Sequence, residues 1–118
     1  MARTPVPGQT LLADSLTVQP GGKGANQAVA AARDGANVAL VGTVGLDPLA
    51  DVALSELRAA GVDLTGLQRA AALPTGCASI CTDHAGRNQI AVALGANEAA
   101  AAEQVPAAWL GPTTTLVL

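Results

Sequence analysis

The 118-residue chain has no phenylalanine or tyrosine and a single tryptophan, Trp109. Its apolar half is therefore mostly Ala, Val and Leu. A core of such small side chains buries less area per residue than an aromatic one, so low stability is expected of the isolated chain. Without aromatic platforms, nucleic-acid bases have almost nothing to stack on. Cationic side chains are also few: six Lys and Arg stand against nine Asp and Glu, for a net charge of −3. Arg3, Arg33, Arg58, Arg69 and Arg87 are scattered, which argues against a nucleic-acid partner. Long apolar runs are absent. None approaches the roughly 20 residues that span a bilayer, and the N-terminal residues lack the apolar stretch of a signal peptide. No membrane partner is expected. Cysteine is scarce, with Cys77 and Cys81 alone. On one strand they would lie about 13 Å apart, at roughly 3.3 Å per residue, beyond disulfide reach. A reducing, cytoplasmic setting follows.

The length suits a single domain. Residues 11–19 read as a strand, broken by Pro20-Gly21-Gly22. The Ala-rich stretch from Ala25 to Asp34 reads as a helix stopped by Gly35, and residues 37–41 (Asn-Val-Ala-Leu-Val) as a buried strand ended by Gly42. Asp47-Pro48 is a helix start, with Asp as cap and Pro in the first helical position. Leu49, Val52, Ala53, Leu54 and Leu57 recur at helical spacing, and Gly61 is placed to end that helix. This order of elements suits an α/β layer fold with a parallel sheet. Residues 77–82 and 88–94, separated by a Gly-containing loop at 83–87, predict a β-hairpin. Residues 98–104 suggest a short helix and 113–118 a further strand. A chain ending inside a strand is expected to be truncated.

The informative segment is Gly21-Gly22-Lys23-Gly24-Ala25-Asn26-Gln27-Ala28. Its three glycines let backbone approach a ligand, the free amides of a helix start follow at once, and Lys23 is the only lysine in the chain. Asn26 brings both an acceptor and donors, which suits a sugar hydroxyl. Phosphate motifs do not fit. A Walker A loop needs Ser or Thr where Gly24 stands and a glycine where Thr17 stands, and the dinucleotide fingerprint needs a glycine at Gln27. From the glycines alone, a plain turn that opens a helix explains the segment equally well. Cys77, Ser79 and Cys81 would share one strand face, but His84 is the only histidine and a metal site lacks ligands. No metal site and no catalytic residue is expected. Asp47 is read as a helix cap, and Asp51, Glu56 and Asp63 as solvated.

This segment, followed by Gly35 and Gly45, resembles the first signature of the ribokinase (PfkB) family of carbohydrate kinases. Further likenesses run in order along the chain: Pro7-Gly8-Gln9-Thr10, Val44-Gly45-Leu46-Asp47-Pro48, Gly61-Val62-Asp63, Pro74-Thr75-Gly76-Cys77-Ala78, Gly86-Arg87-Asn88-Gln89-Ile90 and Gly95-Ala96-Asn97. The resemblance implies the N-terminal portion of a Rossmann-like α/β ribokinase fold with a small β-sheet lid. It casts residues 1–118 as a partial domain, with lid strands at about 9–19 and 76–94 and α/β core elements at about 25–63 and 98–118. It implies an ATP-dependent kinase that phosphorylates a sugar, D-ribose at its 5-hydroxyl first. Carried over, the loop residues Gly22, Lys23, Gly24, Ala25 and Asn26 would hold sugar hydroxyls. Ala78, Ile80 and Ile90 would cover the sugar's apolar face, although an ordinary packed lid sheet explains those three as well. The lid also implies a homodimer clasp.

The same resemblance calls for a Gly-Ala-Gly-Asp motif carrying the catalytic base and anion hole, and for an ATP and magnesium site with an Asn-x-x-Glu motif. Neither motif occurs in these 118 residues, so ATP and Mg2+ belong to the family while the parts that bind them are missing here. The chain is expected to be inactive alone. The alternatives are a non-catalytic sugar-binding or β-sheet dimerisation module, or a truncated product without function. Three positions depart from the pattern: Asp34 replaces an apolar residue, Leu46 an acid and Arg87 a glutamate. Asp34 would be costly if buried unpaired.

Overall fold

Local signals set the two helices of the computed structural model, which describes residues 1–118. Helix α1 (Lys23–Arg33) starts directly after Gly22 and turns Ala28 and Val29 inward. Gly35, at φ 93, follows its end in a left-handed conformation that suits glycine. Helix α2 (Pro48–Ala59) has Pro at its first position and buries Ala50, Leu54 and Leu57. Gly61, at φ 73, ends it. Between the helices runs strand β1 (Gly42–Gly45), and β2 (Leu67–Ala70) follows α2. The two strands pair in parallel, from Gly42 opposite Leu67 to Gly45 opposite Ala70. The unit strand–helix–strand is the crossover a parallel pair requires.

The core lies between this sheet and the helices. It joins Ala28 and Val29 of α1 to Val44 of β1, to Ala50, Leu54 and Leu57 of α2, and to Val62. Leu57, 1% exposed, is the largest side chain fully enclosed. Asp34 caps the end of α1 and is exposed, so the charge expected to disturb packing is solvated.

The hairpin forms as expected, from β3 (Cys77–Thr82) and β4 (Asn88–Ala93), antiparallel with Cys77 opposite Ala93 and Thr82 opposite Asn88. Its turn is organised by Asp83. Oδ1 accepts from the amides of Ala85 and Arg87, both at 3.0 Å, and Oδ2 from Arg87 Nε at 2.8 Å. Arg87, a departure from the family pattern, thus has its own partner four residues back. Burial works against ionisation of Asp83, but the amide and guanidinium of Arg87 and the amide of Ala85 outweigh it and hold the carboxyl below the usual carboxylate range. A depressed folded pKa stabilises above the unfolded value, about 3.9, and that contribution is lost as pH falls through the folded value. The Ala85 and Arg87 amide signals in NMR are therefore expected to hold steady down to about pH 4 and to shift below it. Movement already at pH 6 would contradict this account of the turn.

Four expectations are corrected. Residues 9–19 form no strand, and Leu12 and Leu16 are more than 90% exposed. A strand is made by its partner, and this segment has none. It is tied instead at Asp14, whose carboxylate contacts the Met1 ammonium at 2.6 Å and His84 Nε2 at 3.0 Å. Residues 37–41 are not a buried strand: only Ala39 bridges, to Asp63, and the strand proper begins at Gly42. Residues 98–104 form parts of two 3-10 turns, Gly95–Ala99 and Ala102–Gln104, because the run is too short to sustain an α-helix. Residues 113–118 have no strand partner. The radius of gyration is 16.9 Å, against about 13.5 Å for a closed domain of this length. The exposed hairpin and the unpartnered, exposed residues 9–19 and 113–118 go with this open shape. No helix is long and apolar enough to cross a membrane.

Candidate functional site

The glycine-rich residues all fall at the start of α1. Gly22 has φ 99, and an added Cβ would meet only the Ala25 Cβ at an ordinary contact distance of 4.0 Å, so a side chain there would be opposed by backbone strain and not by a neighbour. The first intrahelical bond runs from the Asn26 amide to the Gly22 carbonyl at 2.9 Å. The amides of Lys23, Gly24 and Ala25 consequently have no acceptor in the helix. Lys23, Gly24 and Asn26 are exposed and Ala25 is half-buried. Lys23 and Asn26, three residues apart, share one helix face. The first turn holds no acidic residue, and the helix dipole adds to the Lys23 charge. The result is an open array of donors with one amide side chain able to donate and accept.

The hairpin residues form a second group. Ile80 stands directly opposite Ile90, and Ala78 opposite Val92, so all four share one face. Ile80 is 57%, Ile90 56% and Val92 65% exposed. Val92 belongs with the named lid residues. The alternation of Ile90 and Val92 along β4 is the signal that would have found it. The structure therefore brings together the loop residues, and separately the hairpin residues. No extensive contact joins α1 to the hairpin.

A clamp fixes where the hairpin leaves the α/β body. The Gly45 amide donates to Thr75 Oγ1 at 3.0 Å, and the Thr75 amide donates to Asp47 Oδ2 at 2.7 Å. Asp47 sits at the cap position of α2, but its side chain makes no cap bond. The expectation of a helix cap is corrected to a carboxylate that holds Thr75. The Thr75 amide, acting against burial, keeps the Asp47 carboxyl below its ordinary range. On the return path the Ala96 amide donates to the Pro74 carbonyl at 2.7 Å. Gly76 and Gly95 face each other's flanking backbone so closely that a Cβ on either would collide with it. These bonds join distant segments through side chain and backbone, and nothing in sequence spacing announces them.

Beside α1 lies a groove of about 1110 Å³, lined by Gly24, Gln27 and Ala28, by residues 36–42 and by residues 113–118. No three His, Cys, Asp or Glu side chains converge to hold a metal ion. Cys77 and Cys81 are free thiols.

A family model described as pfkB family carbohydrate kinase matches residues 2–118. The ribokinase of Bacillus subtilis is 44% identical over 96 residues, which are 81% of this chain and 32% of that protein. The ribokinase of Haemophilus influenzae is 40% identical over 91 residues, 77% of this chain and 30% of its own length. Among solved structures, the Arabidopsis thaliana ribokinase complexed with ribose and ATP superposes with a TM-score of 0.73 at 33% identity, covering 81% of this chain and 31% of that one. The chain thus spans about a third of the relatives it matches.

Proposed function

Because the chain belongs to the pfkB family of carbohydrate kinases, we propose that it is the sugar-binding portion of a ribokinase-type kinase, with D-ribose, phosphorylated at its 5-hydroxyl, as the first candidate substrate. The observation that carries this reading is the open first turn of α1, where unpaired amides, Lys23 and Asn26 meet solvent on one side. Sugar hydroxyls both donate and accept, and these groups supply the complement. Gly22, Lys23, Gly24, Ala25 and Asn26 would hold the hydroxyls. Ala78, Ile80 and Ile90 would cover the apolar face of the ring once the hairpin closes.

The residues present do not fit ATP and magnesium. No acidic cluster forms a set of oxygen ligands, and the glycine loop lacks the hydroxyl residue of a phosphate-binding motif. Nucleotide binding, the base and the anion hole are therefore assigned to the remaining two thirds of such a kinase, and no transfer step is derived through these side chains. The purified chain, given ribose and magnesium ATP, is expected to release no ribose-dependent ADP in a coupled assay. Turnover abolished by Asn26→Ala would contradict that assignment.

A second reading is favoured by the hairpin itself. Strands β3 and β4 are exposed along almost their whole length, and a two-stranded hairpin alone is marginal in water. Pairing of the Ile80, Ile90 and Val92 face with a second copy would bury it, giving a homodimer whether or not sugar is bound. The free thiols support a reducing, cytoplasmic location.

A further inference from the structure

Strand β3 keeps one edge open. Its only partner is β4, in a two-stranded sheet. At the turn the Asp83 amide donates to the Arg87 carbonyl at 2.9 Å, which makes these two residues a directly bonded pair. Such pairs alternate along an antiparallel ladder. In the observed register, with Cys77 opposite Ala93 and Cys81 opposite Gln89, the backbone groups of Cys77, Ser79 and Cys81 therefore face β4. Those of Ala78, Ile80 and Thr82 face outward. No backbone bond from residues 1–22 reaches β3. The strand is exposed along its length except at half-buried Cys81. An edge of this kind is a template for another strand.

The side chains of Cys77, Ser79 and Cys81 share one face of β3, opposite the face of Ala78 and Ile80. Within one chain the two thiols are too far apart to bond. A second copy removes that obstacle. Two identical strands pairing antiparallel are related by a two-fold axis. With the axis at Ser79, Ala78 lies opposite Ile80 of the second copy, and both have outward backbone groups to bond. Cys77 then lies opposite Cys81 of the second copy, and Cys81 opposite its Cys77. Both cysteine pairs fall at unbonded positions, where Cα atoms are about 4.5 Å apart. That is within the roughly 4.4–6.8 Å a disulfide spans. An axis at Ile80, which the outward backbone also allows, sets Cys77 against Asp83 and Cys81 against Ser79. The Ser79 axis alone pairs every cysteine with a cysteine.

We propose that β3 is a redox-gated self-association edge, at which two copies of this chain pair about Ser79 and are locked by two symmetric disulfides, each from Cys77 of one copy to Cys81 of the other. The oxidant is a small-molecule disulfide of the glutathione class. One cysteine thiolate attacks it, forming a mixed disulfide and releasing a small thiol. The facing cysteine of the other copy gives up its proton and attacks the protein sulfur, releasing the second small thiol. Two protein thiols and one small disulfide thus become one protein disulfide and two small thiols. Excess small thiol runs the exchange backward. The few backbone bonds of so short an edge do not offset the freedom two chains lose on association, so the disulfides decide the oligomeric state. A disulfide in a reducing compartment is expected to be transient and redox-sensing. The joined sheet has four strands, where the hairpin alone is marginal. The Ile80, Ile90 and Val92 face stays on its other side, and sugar binding plays no part.

The test exposes the full chain to glutathione disulfide, with excess reduced glutathione as control. Light scattering and non-reducing gels are expected to show a covalent dimer after oxidation and a monomer after reduction. A thiol reagent should find no free thiol in the dimer. Cys77→Ser and Cys81→Ser should each lose cross-linking by about tenfold or more, because each then sets serine against cysteine. An equimolar mixture of the two variants should recover a dimer with one disulfide, since it restores one facing pair. Ser79→Lys, at an exposed position, sets like charges opposite each other on the axis and should slow cross-linking about fivefold or more. Its circular dichroism should match that of the unaltered chain. A chain that stays monomeric under oxidation would overturn the proposal. So would single variants that cross-link as well as the unaltered chain, a mixture that recovers nothing, or indifference to Ser79→Lys.

Discussion

Leu57→Ala is expected to remove about 2–5 kcal/mol of stability and with it the cooperative thermal transition seen by circular dichroism. Only 13 of 118 residues are buried, and Leu57 is the largest that is fully enclosed. It lies where α2 meets the small residues of α1, β1 and Val62. Its enclosed neighbours are Ala28, Val29, Val44, Ala50, Leu54 and Val62, mostly short or branched side chains that cannot swing in to fill the space, so the cavity would persist and the cost should fall toward the upper end of that range. A domain with a full core has about 5–15 kcal/mol in total, and one this thin has less to lose. Leu49, on the same helix but 39% exposed, provides the control. Its replacement by Ala should lower the midpoint far less. Equal losses from the two substitutions would mean that the enclosed cluster is not what holds α2 in place.

Gly45→Ala is expected to cost about 3 kcal/mol or more, at or above the top of the overpacking range. A Cβ there would meet the Leu73 carbonyl and the Thr75 amide, both at 2.7 Å, besides the Asp47 carboxylate. Two of those three obstacles are backbone and cannot rotate away. Relief requires pulling residues 73–75 from β1, which breaks the Gly45–Thr75 and Thr75–Asp47 bonds together. Gly42→Ala, at the other end of the same strand, meets nothing within 4 Å and should change stability by less than about 1 kcal/mol. Chemical denaturation of the two variants side by side checks this. A Gly45→Ala protein as stable as Gly42→Ala would mean that the hairpin is not anchored by this clamp.

Much of the fold was legible where the signal is local. Asp47-Pro48 and Gly61 bracket α2, the glycines at 22 and 35 bracket α1, and the alternation on either side of residues 83–87 gives the hairpin with its register left to the turn. The glycine loop fell on a helix start, as its spacing implied. What was not legible depends on partners. Strand β2 has Gln68 and Arg69 at its centre and carries no apolar period, yet pairs with β1 because α2 returns the chain beside it. Residues 9–19 and 113–118 have strand-like composition and no strand to pair with. The apolar run at residues 37–41 predicts burial, but a run states only what could be covered, and here the only bridge is from Ala39 to Asp63. In the site, the roles of Thr75 and Asp47 were hidden because a side chain bonding distant backbone leaves no period in the sequence. Arg87 looked like a departure and is explained by Asp83.

Calorimetric titration of the purified chain with D-ribose, alongside Asn26→Ala, tests the sugar-binding claim most directly. The expected result is saturable heat from the wild-type chain and its loss, by at least about tenfold in affinity, in the variant, with both proteins showing the same circular dichroism. Absence of ribose binding by the folded wild-type chain, or binding that Asn26→Ala leaves unchanged, would contradict the assignment of the α1 loop as the sugar site.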